Sequence, residues 1–383
     1  MYKKLSGQIL MNTNFNPNAL IRPNIATLKP YTPIAPFEVL SQQLGRPIAD
    51  IIKLDANENP YGPSPLVAEV LAETPFLHIY PDPESRELRA GLADYTGLDA
   101  KYLLVGHGAD ELIDLIMRLF IEPGDAIINC PPTFGMYPFD ADINAAQVIN
   151  VWRRADFSLN VEEIEAQFTN PANGQTGGET IPKLIFVTSP NNPDGSLLSD
   201  EDLERLLALP AIIILDEAYI EFSGGSRIEW VTRFNNLIVL RTFSKWAGLA
   251  GLRVGYGAFP LEIMEHLWKI KQPYNVNVAG QLAAQISLTD SNRLLDNVGK
   301  LICQRDEFFT RLSRFDWLTP YPSQTNFILC RINGRPALEV KQQLARQGIL
   351  VRYYNSSRLT DHLRISIGTP EQMVKLEEAL QTL

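Results

Sequence analysis

Apolar and polar positions follow two rhythms along the chain, and the change from one to the other predicts the elements. Between residues 101 and 273, short apolar or β-branched runs stand between amphipathic stretches, the pattern of βαβ units around a buried parallel sheet. Strands are predicted over residues 126–129, 184–188, 211–215, 237–241 and 252–258. A helix expected over 109–120 sets Leu112, Ile113, Ile116, Leu119 and Phe120 on one face at the 3.6-residue period. A second, over 200–209, opens with Ser199 and Asp202 at capping-box spacing. Past Pro273 the alternation gives way to a long helical region over 277–313. A second, smaller α/β unit then closes the chain, with strands at 327–330, 350–352 and 363–367 and helices at 337–347 and 370–383. The first thirty residues, broken by Pro23 and Pro30, read as an arm, and the polar, glycine-rich stretch 170–180 as a surface loop. The fold class is α/β: a mostly parallel sheet flanked by helices, plus the smaller unit.

Composition narrows the function. At 383 residues, the length suits two structural units, and 45% hydrophobic with 20% charged residues supplies a core and excludes general disorder. With 34 basic against 44 acidic side chains, the net charge of −10 repels phosphate backbones and anionic lipid, so nucleic acid and membrane are not expected partners. Cys130, Cys303 and Cys330 are odd in number and far apart, which fits a reducing, cytoplasmic compartment and no zinc or disulfide framework. No apolar run approaches the ~18 residues of a membrane span, and residues 1–10 lack the apolar core of a secretory signal. His78, His107, His266 and His362 stand at no metal-ligand spacing and are read as structural, with no metal expected.

Polar clusters follow the predicted strands, where open α/β sheets bind ligands: PPTFGMY from Pro131, SPNNPDG from Ser189, DEAY from Asp216 and RTFSK from Arg241. Asp216 directly follows the run IIIL, and a buried carboxylate needs either a cation or a capping role at the next turn. Lys245 follows another apolar strand, and a desolvated amine has a lowered pKa and the reactivity for a Schiff base. Pyridoxal 5'-phosphate would satisfy both, its aldehyde taking the lysine and its ring nitrogen the carboxylate. GHGADE offers helix N-terminal N–H groups to a phosphate, although Asp110 and Glu111 are also ordinary first-turn residues. Thr242, Ser244 and Arg253 add hydroxyl and guanidinium donors.

The motifs SPNNPDG, DEAYIEF, RTFSKWAGLAGLRVGY and LRISIGT, in that order, resemble the fold-type I pyridoxal-phosphate aminotransferases and, within them, the histidinol-phosphate aminotransferase family. LKPYTP, KLDANENPYGPSP, YPDP, GHGADELID, IKQPYNVN and GILVR extend the resemblance from about Ile21 to the C-terminus. The resemblance implies Lys245 as the Schiff-base lysine, Asp216 as partner of the ring nitrogen, and Asn192 and Tyr219 at the ring's 3-oxygen. It implies Ala109, Asp110, Ser244 and Arg253 at the cofactor phosphate. Phe134 would stack on the ring where family members often carry tyrosine; NPDG for the commoner NPTG and Trp246 after the lysine are further departures. Tyr80 matches a tyrosine that reaches a neighbouring subunit's cofactor phosphate, which implies a homodimer with shared sites. Arg364 matches the clamp for a substrate α-carboxylate, and Tyr31, Asn57 and Arg352 match positions near the substrate side chain and its phosphate. The implied reaction moves an amino group between L-histidinol phosphate and 2-oxoglutarate, giving glutamate, in L-histidine biosynthesis. The implied division is an arm over 1–30, a small domain of 31–59 with 274–383, and a large cofactor-binding domain over 60–273. An aromatic amino acid aminotransferase shares every cofactor motif and is separated by Arg352, since its substrates carry no phosphate. A phosphothreonine decarboxylase of the same fold is a weaker rival. A cofactor-sensing regulator would carry a basic helix-turn-helix segment, and none is seen.

Overall fold

The computed structural model describes residues 16–31, 35–169 and 180–383; the first half of the arm, residues 1–15, and nearly all of the expected surface loop, residues 170–179, lie outside the described residues. A seven-stranded sheet runs in the order Leu103–Gly106, Gly255–Ala258, Leu237–Thr242, Ile212–Asp216, Pro182–Thr188, Ala126–Asn129 and Gln147–Asn150. Gly255–Ala258 is antiparallel to both neighbours and every other pair is parallel. The central strands read as unbroken apolar runs because both faces are covered. Ile185, Val187, Ile213, Leu215 and Val239 enter one core cluster, while Leu184, Phe186, Ile214, Ile238 and Leu240 enter another.

The helix Gly108–Phe120 lies on the second face and buries Leu112, Ile113, Leu115, Ile116 and Met117, whereas Leu119 and Phe120 are only partly covered. The predicted face is therefore kept and widened on both sides by Leu115 and Met117, with Leu119 and Phe120 packed against the same cluster. Ser199 does cap Asp200–Leu207, accepting from the Asp202 N–H at 3.1 Å. The strand predicted over 252–258 begins only at Gly255, because Ala250–Leu252 forms a 3-10 turn and Arg253 takes a left-handed φ of 54°. Leu103–Gly106 and Gln147–Asn150 escaped the pattern; they are four-residue strands at the two sheet edges.

The second sheet has five strands in the order Ile52–Leu54, Ile349–Tyr353, His362–Ser366, Phe327–Ile332 and Leu318–Pro320. Its first pair is parallel and the rest antiparallel. Helices Ala337–Arg346 and Pro370–Gln381 accompany it, the latter opened by a full capping box between Thr369 and Gln372. The region 277–313 is two helices, Val278–Thr289 and Ser291–Leu312, divided at Asp290, whose carboxylate accepts from Ser64 Oγ at 2.6 Å. Asn24 of the arm donates to the carbonyls of Asp142 and Ile143 at the end of the helix Met136–Ile143. Among the described residues no helix is long and apolar enough to cross a membrane.

Candidate active site

Asp216 ends its strand 4% exposed. Its Oδ2 accepts from the Tyr137 phenol at 2.6 Å and its Oδ1 from the Ala218 N–H at 3.0 Å. The second bond is the turn cap considered from sequence, so capping and ligand-facing roles coexist. No cation among the described residues pairs with this carboxylate, and burial pushes it from 3.8 up to about 6 although both hydrogen bonds pull it back. Since Tyr137 spends its proton on Asp216, Thr188 Oγ1, 2.8 Å away, must donate to Tyr137. Tyr137 is wholly buried and was missed as a site residue. Its only signal was its place at the end of PPTFGMY.

Lys245 is half-buried with its amine turned to the cavity, making one long hydrogen bond of 3.4 Å to the Ala56 carbonyl. Burial, helped by the Arg364 charge, pushes its ammonium from 10.5 down to about 8. The turn after it requires glycine at 248, where φ is +69° and a Cβ would stand 2.5 Å from the Gly62 carbonyl carbon. Trp246 is core, stacked on Tyr95 at 5.3 Å between ring centroids, which accounts for a large aromatic next to the lysine.

Beyond the lysine the donors converge. Arg253 donates to Asp110 at 2.6 Å and to Ser244 Oγ at 3.5 Å, and the Thr242 hydroxyl donates to Ser244 at 2.9 Å. The start of the helix Gly108–Phe120 approaches the strand Gly255–Ala258 so closely that a Cβ at Gly255 would lie 2.5 Å from the Ala109 nitrogen. Ala109, Asp110, Ser244, Arg253, Phe134, Asn192, Tyr219, Lys245 and Asp216 together line a cavity of about 140 Å³. Hydroxyl, guanidinium and helix N-terminal donors at one end, a carboxylate without a cation at the other, and an amine with a phenyl ring between them fit pyridoxal phosphate.

A larger cavity of about 470 Å³ adjoins it, sharing Lys245, Asn192, Phe134 and Tyr219, and adds Tyr31, Asn57, Arg352, Tyr354 and Arg364. Both sheets build it. Arg364, in the second sheet, donates to Asn192 Oδ1 at 2.6 Å and to the Asp55 carbonyl at 2.7 Å. Asn57, held at φ 55° by bonds with Ser366 and Asn326, donates to the Tyr219 phenol at 2.9 Å. Arg352 and Arg364 are cross-strand register partners, and their guanidiniums stand 5.7 and 5.8 Å from the same Tyr354 ring. Tyr80 is not brought here: it is 78% exposed and stacks on Tyr274 with centroids 4.6 Å apart. Nor does any histidine line either cavity; His362 is buried beside Asp361 and stacks on Tyr321. Among the described residues no group of His, Cys, Asp or Glu is arranged to hold a metal ion.

Residues 49–380 match the family described as aminotransferase class I and II. Histidinol-phosphate aminotransferase 1, chloroplastic, of Arabidopsis thaliana is 54% identical over 95% of this chain and 86% of its own length. The histidinol-phosphate aminotransferase of Roseiflexus castenholzii is 47% identical over 94% of this chain and 97% of its own. The structure of the Sinorhizobium meliloti histidinol-phosphate aminotransferase, in complex with pyridoxal-5'-phosphate, superposes with a TM-score of 0.83 at 26% identity, covering 94% of this chain and 98% of that one. The chain belongs to the class I and II aminotransferases and, within them, to the histidinol-phosphate aminotransferase family.

Proposed function

We propose that the protein transfers an amino group between L-histidinol phosphate and 2-oxoglutarate, with pyridoxal phosphate as cofactor, as a step of L-histidine biosynthesis. The observation that carries this reading is the pair Arg352 and Arg364 on one wall of the cavity that Lys245 enters. Histidinol phosphate has no carboxylate; its phosphate ester, carried on a CH2 group, stands on the α-carbon where an amino acid carries one. Two guanidiniums side by side suit a dianionic phosphate there, and glutamate offers them carboxylates in its turn.

When bound, pyridoxal phosphate supplies an aldehyde for amines and an electron sink for charge at the substrate α-carbon. Asp216 would pair in its charged form with the ring nitrogen and keep it protonated, and Tyr137 holds the carboxylate in place. Lys245, as a free amine with a lowered pKa, takes the α-proton and returns it, general base and then general acid. Asn192 and Tyr219 would orient the ring's 3-oxygen, Phe134 would cover the ring, and Ser244, Arg253 and the Ala109 and Asp110 N–H groups would hold the phosphate. Loss of the tyrosine hydroxyl at Phe134 leaves stacking intact. Tyr31 and Asn57 border the substrate side chain. We also infer a homodimer in which Tyr80 serves the partner's cofactor phosphate; the exposed run Phe76, Leu77, Ile79 and Tyr80 supports an apolar contact. A cytoplasmic location rests on the scattered free cysteines alone, and the Arabidopsis relative is chloroplastic by name.

The test is an amino-donor panel with wild type and Arg352→Ala. Charged hydrogen bonds are worth roughly 1.5 to 3 kcal/mol, so the variant should lose about 10- to 100-fold in kcat/KM for histidinol phosphate and less for phenylalanine, whose single, smaller carboxylate Arg364 can hold alone. Wild-type preference for phenylalanine or tyrosine would replace this reading with the aromatic one.

A further inference from the structure

Tyr354 follows the strand Ile349–Tyr353 and lines the larger cavity. Its phenol is buried without a hydrogen-bond partner among the described residues. Such an orphan hydroxyl is costly to bury unless something else satisfies it. A satisfied core tyrosine would have found a protein acceptor. Burial also raises its pKa above the ordinary 10, so it stays a neutral O–H donor.

Its surroundings favour an anion. Both guanidiniums, of Arg352 and Arg364, lie within 6 Å of its ring. Ser356 and Ser357 line the same cavity just beyond it. Arg364 already gives two N–H groups to Asn192 and the Asp55 carbonyl. A carboxylate has two oxygens to satisfy, whereas a phosphate monoester has three non-bridging oxygens and more charge. The second anion therefore has room for more donors than the first.

We propose that the Tyr354 hydroxyl donates to a substrate phosphate and helps the site favour a phosphorylated amine over a carboxylate-bearing one. This rests on histidinol phosphate being a substrate. Its ring keeps the two guanidiniums at contact distance through cation–π attraction, so Tyr354→Phe removes the donor and spares the ring.

The experiment compares the holoenzyme and Tyr354→Phe in single-substrate half-reactions with histidinol phosphate, with histidinol and with glutamate. The expected result is a KM for histidinol phosphate raised about tenfold with kcat changed less than about twofold, and a loss at least about fivefold larger than for histidinol or glutamate. Equal losses on all three substrates, or no loss on histidinol phosphate, overturn the assignment. Tyr354→Leu should add a further loss on glutamate, because the ring itself is gone; no difference between the Phe and Leu variants on any substrate overturns the ring's part. Wild-type enzyme inactive on histidinol phosphate would remove the parent reading and this one together, whereas wild-type activity with an unaffected Tyr354→Phe removes this one alone.

Discussion

Asp216→Asn should abolish turnover and yet stabilise the cofactor-free protein. In the fold the carboxyl is raised from 3.8 to about 6 by burial, so between those values the folded state holds its proton more tightly than the unfolded chain. Wild-type stability therefore falls as pH rises through that window, and the deficit is complete above it. A rise of that size amounts to about 3 kcal/mol. Asparagine keeps the shape without the charge. Its Oδ1 still accepts from the Ala218 N–H, and its amide donates to Tyr137, whose proton then turns to Thr188 at 2.8 Å. The net gain should be roughly 1 to 3 kcal/mol, or about 1 to 4 °C in Tm for a chain of this length. Asp140 and Glu221 are also raised to about 7, but they titrate in both proteins and cancel from the difference. The assay is the Tm of both apoproteins between about pH 4 and 8, repeated with saturating pyridoxal phosphate. Asn should gain on wild type as pH climbs and then level off, while the cofactor should raise the wild-type Tm more. A gap independent of pH, or a wild type more stable at pH 8, refutes the reasoning that the charge is uncompensated.

Capture of a small aldehyde by Lys245 in the apoprotein, trapped by reduction and mapped to its peptide, should accelerate about tenfold per pH unit and level off near 8; a rise continuing toward 10.5 would show that burial does not control the amine. Gly248→Ala should cost roughly 2 to 4 kcal/mol and misplace Lys245, since φ is +69° and the Cβ meets Gly62 backbone; an unchanged Tm with normal turnover contradicts it. Mixing Tyr80→Ala with Lys245→Ala and allowing subunit exchange should restore about a quarter of the sites, since a hybrid dimer carries both defects in one site and none in the other. A fully active monomer in sedimentation contradicts the shared site.

What the sequence made legible follows from how far each signal reaches. Asp216 and Lys245 stand out because a charge after an apolar strand is abnormal on its own, with no partner needed to notice it. The same holds for the central strands, whose unbroken runs reflect two covered faces. Tyr137 was illegible because its meaning lies in partners 51 and 79 residues away, and an aromatic on a helix is more often plain core. Arg253 was placed inside a strand because nothing in LAGLRVG announces a left-handed arginine. The edge strands Leu103–Gly106 and Gln147–Asn150 are too short for alternation to register, and the second has exposed Gln147 and Asn150 at its ends.

The two arginines differ in how they are held, and that difference bears on a site that must take two substrates in turn. Arg364 is fixed: of its five N–H donors, separate nitrogens serve Asn192 and the Asp55 carbonyl, which tie the second sheet to the turn after Pro182–Thr188. Arg352, its register partner, has no hydrogen bond or ion pair among the described residues and is steadied only by the Tyr354 ring. On the proposed reading, histidinol phosphate and glutamate share an anionic group on the α-carbon and differ in its size and in the side chain. A rigid guanidinium suits the shared position, because its orientation is established before binding and costs nothing on binding. A guanidinium without protein acceptors suits the variable one, because it meets a phosphate or a carboxylate without breaking any bond. The arrangement thus separates what every substrate must present from what each presents differently.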